Sequence, residues 1–187
     1  MKRSGTQNRK TGYSRVLDTV VFVIAMLSFS LNSSNARAAD LAPADYRVVT
    51  AGGEFNGTTQ IAVAFQMRPP RRLRARHLEL AVGAISTPEE TRAFVSLGPV
   101  WRLPINNDSF FIDLGFSPTL ISGSSLNGRD LGGNFHFTSS ASIGTTFGAS
   151  DNILLSLRVQ HTSNGGLSSD NPGLDMIGLN ISFNIFN

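Results

Sequence analysis

From about residue 46 to the C-terminus the chain alternates apolar and polar residues with period two, and after Ala38 no stretch carries a helical stripe. Such a pattern folds into strands with one apolar and one polar face, broken by Gly, Pro, Asn, Asp and Ser clusters. Seven segments are clear, at residues 60–68, 77–84, 92–102, 110–117, 135–147, 155–160 and 177–185, and a weaker one covers residues 46–55. In the last of them Ile177, Leu179, Ile181, Phe183 and Ile185 oppose Gly178, Asn180, Ser182 and Asn184. The polar faces carry charges in mid-strand. A soluble sandwich buries the apolar face and wets the polar one, whereas a small outer-membrane barrel turns its apolar face to lipid and hydrogen-bonds the polar face inside. Alternation alone fits both.

Three features favour the barrel. The count of eight segments is even and sufficient to close, the last segment runs almost to the C-terminus, and the N-terminus reads as an export signal. Lys2, Arg3, Arg9, Lys10 and Arg15 precede an apolar run from Val20 to Leu31, and Ala36-Arg37-Ala38 closes the segment. This is the plan of a secretory signal peptide spanning residues 1–38, with cleavage after Ala38. The alternative, an uncleaved anchor, needs about 20 apolar residues and the run is shorter. Residues 39–187 then form one outer-membrane barrel. At about 10 residues per spanning strand, eight strands and their turns fill that length, leaving no room for a separate soluble domain. Two Tyr and one Trp are few for an aromatic girdle, which 13 Phe partly make up.

The leader also accounts for the apparent basicity. The whole chain has a formal charge of +3, but both Lys lie in the leader, and residues 39–187 hold ten Arg against twelve acids, a net of −2. This balance gives no support for a basic body that binds nucleic acid. The absence of Cys excludes a disulfide framework and thiolate metal sites. No spacing for a Zn, Ca or phosphate-cradling site is present, so no cofactor is expected. Arg47, Arg92, Arg102 and Arg158 read as lumen partners for acids such as Glu79 and Asp113, and His77 and His136 as lumen residues.

With both termini periplasmic, residues 118–133 and 164–173 become extracellular loops, and the short links at residues 104–108 and 148–152 face the periplasm. One periplasmic turn is unusual. Arg68, Arg71, Arg72, Arg74 and Arg76 crowd into it, suited either to solvent or to anionic headgroups of the inner leaflet.

Parity singles out polar groups on the apolar face. His161 and Ser163 continue the register of Leu155, Leu157 and Val159, and Asp175 precedes Ile177 in the same register, so all three point outward at the extracellular end. A His, a Ser and an acid are the parts of nucleophilic acyl transfer, in which imidazole takes the hydroxyl proton and the carboxylate fixes the ring. His161 and Ser163 are about 6–7 Å apart along a strand, within reach of an imidazole. Asn164, Gly165, Gly166 and Asn171 between them and Asp175 offer amides and open backbone for an oxyanion. Parity equally fits three ordinary polar residues where the apolar band ends.

The run His161-Thr162-Ser163-Asn164-Gly165-Gly166-Leu167, then Asn171-Pro172-Gly173-Leu174-Asp175 and a final amphipathic strand, resembles the outer-membrane lipid A 3-O-deacylase family (PagL). Leu131-Gly132-Gly133-Asn134-Phe135 and Ile143-Gly144 are similar to the sixth strand of that family, so the likeness is one of sequence in the C-terminal half and of architecture elsewhere. The resemblance implies an eight-stranded antiparallel transmembrane β-barrel that hydrolyses the ester-linked acyl chain at the 3-position of lipid A without a metal. It implies Ser163 as nucleophile, His161 as base and then acid, and Asp175 as the orienting acid. Asn171 and the Gly166 N–H become oxyanion donors, with Asn164 supporting. One position departs, because the family carries Glu where this chain has Asp175. An acid one methylene shorter demands a closer strand approach or a looser contact with His161.

The expected function is that of a serine esterase acting on lipid A of the outer leaflet, which enters sideways among the outer-membrane lipids; a homodimer is compatible with this. The alternatives are a non-catalytic structural or adhesive barrel and a secreted soluble barrel or sandwich with a lipid pocket.

Overall fold

The computed structural model describes residues 46–55, 57–105, 110–147, 153–169 and 172–184. The leader at residues 1–38 and Asn171 lie outside them. Among the described residues there are ten strands: β1 (Tyr46–Gly53), β2 (Thr59–Met67), β3 (His77–Ser86), β4 (Thr91–Ile105), β5 (Phe110–Ile121), β6 (Ser125–Leu126), β7 (Arg129–Asp130), β8 (Phe135–Phe147), β9 (Ile153–Ser163) and β10 (Leu174–Asn184). Eight of them close in the order β1-β10-β9-β8-β5-β4-β3-β2, every pair antiparallel, while β6 and β7 form a separate hairpin. Closure pairs β1 with both β2 and β10, which removes the free edges that a sheet of this size would otherwise expose.

The two faces follow the alternation of the sequence. Val82, Leu103, Leu120, Ile143, Val159 and Leu179 point outward and are each at least half exposed. Phe65, Phe110, Phe116, Phe135, Phe147 and Phe183 share that exterior. So much exposed apolar surface, continuous around a closed sheet, is a lipid face. The molecule is a transmembrane β-barrel.

Inside, many of the polar groups pair with one another. Arg102 grips Asp113 with two bonds of 2.7 and 2.6 Å. Arg158 donates to Glu79 at 2.9 Å and to Ser140 at 3.0 Å, and Gln66 adds a bond to Glu79 at 3.3 Å. Gln160 donates to Gln60 at 2.8 Å, and Thr119, Thr138 and Thr162 form a chain of hydroxyls with 2.8 Å links. His77 and His136 both point inward and are buried. Removing one partner of a buried pair strands the other charge. Glu79→Leu is therefore expected to destabilise the barrel by on the order of 2 kcal/mol. The double variant Glu79→Leu/Arg158→Leu should recover much of that loss, which urea unfolding followed by heat-modifiable gel mobility would measure.

The lumen is plugged at one end. Leu126 of β6 and Leu131 just after β7 are each 3% exposed and join Ile85, Phe94, Ile121 and Leu174 in one apolar cluster across the mouth. Arg92 fixes this plug by donating to the Ser125 carbonyl at 3.0 Å, and Glu90 accepts the Asn127 N–H at 2.7 Å. Interior voids between the lumen side chains measure about 10 and 20 Å³, too small for a channel. Whatever this barrel handles must reach it from outside.

Two of the expected loops begin later than the sequence suggests. Residues 118–133 form a loop only from Ser122 onward, because β5 runs on to Ile121, and the loop contains the β6–β7 hairpin. Likewise β4 continues through Pro104 to Ile105. Proline usually signals a strand end, but Pro118 keeps its strand position opposite Phe137, and Pro104 keeps its own opposite Phe111.

Candidate active site

The register of the last strands builds the site row by row. Asp175 of β10 lies directly opposite His161 of β9, and His161 lies opposite Ser139 of β8. One row towards the mid-membrane, Ile177, Val159 and Ala141 align in the same way. One row towards the loops, Ser163 lies opposite Phe137. All these side chains have the outward parity.

His161 and Asp175 are bonded. The Nδ1 of His161 meets Oδ1 of Asp175 at 2.7 Å, so the shorter acid reaches the ring without strain on the pairing. Direct cross-strand placement explains this, since opposed residues have Cβ atoms about 5 Å apart and little length is needed. The bond occupies Nδ1 and leaves Nε2 as the nitrogen that can exchange a proton with a hydroxyl. Ser163 follows on the same face of β9 and is half-buried, at the point where the strand ends.

The turn after Ser163 is tightly held. Asn164 is fully buried, and its Oδ1 accepts the Gly166 N–H at 2.9 Å. Gly165 and Gly166 both have positive φ, of 67° and 81°. Phe137 closes one flank, because a Cβ on Gly165 would meet its ring at 2.9 Å. Phe137 in turn stacks on Phe116 with centroids 5.6 Å apart and meets Phe135 edge-on at 5.1 Å.

Two residues passed over in the sequence reading tie neighbouring loops to the site. Arg129 of β7 donates to the carbonyl oxygens of Pro172, at 2.9 Å, and Gly173, and approaches Glu54 at 3.5 Å. Glu54 accepts the Asp175 backbone N–H at 2.9 Å. Neither position belongs to a recognisable motif. They come together only because closing the barrel sets Glu54 beside β10. Ser139 was also missed, although parity alone would have found it.

Below the His161–Asp175 pair lies a groove of about 580 Å³ on the outer wall, whose lining includes Ser139, Ala141, Val159, Ile177, Gly53 and Phe55. Small residues make it: Gly53, Ser139 and Ala141 stand where the surrounding wall carries larger side chains. The groove is apolar at its floor and polar at its loop end. An extended hydrocarbon lying in it would place a polar head at His161.

Comparison with known proteins bears on the fold and the family. A crystal structure of the outer membrane enzyme PagL superposes with a TM-score of 0.62 at 18% identity, covering 74% of this chain and 98% of that one. The lipid A deacylase PagL of Bordetella bronchiseptica is 30% identical over 95 residues, 47% of this chain and 52% of that protein, so the chain spans about half the length of this relative. The profile of the lipid A 3-O-deacylase (PagL) family matches residues 59–184, which include β2 to β10 with His161, Ser163 and Asp175. The chain therefore belongs to the lipid A 3-O-deacylase (PagL) family.

Proposed function

We propose that this protein is an outer-membrane serine esterase that removes the ester-linked acyl chain at the 3-position of lipid A, after export by a leader cleaved at Ala38. The observation that carries the reading is the 2.7 Å His161–Asp175 bond on the lipid-facing wall, directly above an apolar groove. Catalytic polar groups turned towards lipid suit a substrate that is itself a membrane lipid. Family membership supplies the reaction.

In this mechanism Ser163 Oγ attacks the ester carbonyl carbon while His161 Nε2 takes the hydroxyl proton. Asp175, on Nδ1, stabilises the imidazolium and keeps the ring aligned. The tetrahedral intermediate collapses, and the sugar 3-hydroxyl leaves with the proton that His161 held. Water, deprotonated by His161, then hydrolyses the Ser163 acyl ester and frees a fatty acid. Asn171 and the Gly166 N–H serve as oxyanion donors. The Gly166 N–H must share its hydrogen with Asn164 Oδ1, so Asn164 both holds the turn and sets how freely this donor can move. No metal enters the scheme.

Mass spectrometry of lipid A from cells making the protein tests it. Loss of one ester-linked acyl chain is expected; an unchanged spectrum from cells with folded barrel in the outer membrane would leave a non-catalytic structural barrel instead. The groove makes a separate prediction. Ala141→Trp fills its centre, so cleavage of long-chain esters should fall about 10-fold while short-chain ester cleavage changes little, given about 0.8 kcal/mol for each methylene displaced from the wall. Chain-length profiles on synthetic esters read this directly.

A further inference from the structure

The arginine-rich turn between β2 and β3 lies at the end of the barrel opposite His161, and catalysis does not use it. A merely solvated turn would stand clear of the wall. This one is folded outward onto it. The indole Nε1 of Trp101, an outward-facing residue of β4, donates to the Leu73 carbonyl at 3.2 Å, and the Arg76 N–H extends the ladder to the Val100 carbonyl at 2.9 Å. Leu73 N–H closes a 3-10 turn on Pro70, and Arg74 reverses the chain with φ 48°. Leu73 and Trp101 are both more than a third exposed, and Trp101 stands on the outer wall. The arginines thus flank an apolar anchor at the rim of the lipid face.

Arg71, Arg72, Arg74 and Arg76 are exposed, and none forms an ion pair with a carboxylate among the described residues. Residues 68–78 contain no acid at all. Nearby Asp113 is already held by Arg102. A guanidinium presents a planar fork of donors that matches phosphate oxygens, and its stem can lie along acyl chains while the head stays at the headgroup level. We propose that Arg71, Arg72, Arg74 and Arg76, anchored by Leu73 and Trp101, form a binding site for the phosphate headgroup of an anionic phospholipid in the leaflet opposite the catalytic end. The site rests on the membrane-spanning barrel and is independent of the catalytic assignment.

The test uses the full barrel reconstituted in vesicles of phosphatidylethanolamine and phosphatidylglycerol, then released for native mass spectrometry. The wild type should retain phosphatidylglycerol about 10-fold above its share of the vesicle, with the enrichment falling as salt rises. Arg71→Gln/Arg72→Gln/Arg74→Gln should carry the two lipids in the vesicle ratio while keeping its heat-modifiable mobility and its esterase rate. Should the triple variant fail to fold, Arg72→Gln and Arg74→Gln singly should each lower the enrichment about threefold. Wild-type retention in the bulk ratio, unchanged enrichment in the variants, or displacement of the lipid by millimolar inorganic phosphate would overturn the proposal.

Discussion

Ser163→Ala should lower acyl release from lipid A by at least about 10³-fold while the barrel still folds, and His161→Ala should cost about as much. The two losses should not add, because the hydroxyl and the imidazole act as one unit, so the double variant should match either single one. Ser139→Ala is the informative control. Ser139 lies opposite His161 across the β8–β9 pair and shares the groove with it, so it is a second hydroxyl on that face besides Ser163, which stands two residues along β9. What separates them is the backbone around each. Ser139 is in mid-strand, flanked by residues paired with both β5 and β9, where the amide hydrogens are spent on the ladders. Ser163 ends its strand at a glycine turn, where the Gly166 N–H is held by the Asn164 side chain and not by a sheet ladder, so it can be shared with an oxyanion. Ser139→Ala should therefore keep activity within about threefold of wild type, the size of a lost groove contact. Activity in Ser163→Ala and none in Ser139→Ala would move the nucleophile across the strand pair. Single-turnover assays on lipid A in mixed micelles distinguish the two outcomes.

Parity was the most legible property of this chain. Since strand side chains alternate strictly, the apolar and polar sets on residues 60–67, 155–160 and 177–183 can be assigned to lipid and lumen from the sequence, and those strands fold that way. The same reasoning placed His161, Ser163 and Asp175 on one outward patch. It faltered at proline. Pro104 and Pro118 read as strand ends yet occupy strand positions, which a pairing partner can impose and a local pattern cannot reveal. The β6–β7 hairpin was illegible for another reason, since strands of two residues have no period. The contacts of Arg129 with Glu54, Pro172 and Gly173 were hidden most deeply. They join residues 43 to 75 positions apart, and only closure of the barrel brings these loops together.

That network makes Gly173→Ala the second large effect, a loss of roughly 100-fold in kcat/KM with the barrel still folded. Gly173 has φ 62°, where an L side chain costs roughly 1–2 kcal/mol. A Cβ there would stand 2.6 Å from Cε1 of His161, so the ring must turn or the loop must retreat. Turning the ring breaks its 2.7 Å bond to Asp175 and moves Nε2 from the nucleophile. Retreat is resisted, because Arg129 holds the Pro172 and Gly173 carbonyls, and Glu54 holds the Asp175 N–H. Releasing the clamp alone, in Arg129→Ala, should cost about 10-fold, since the loop then samples positions in which the acid and base are misaligned. In Gly173→Ala/Arg129→Ala the loop is free to back away from the added methyl group. The double variant should accordingly lose less than the product of the two single losses, a coupling that reports the shared contact. Wild-type kcat/KM in Gly173→Ala would show that the His161 ring is not pinned by this loop, and the clamp would then have no route to the chemistry.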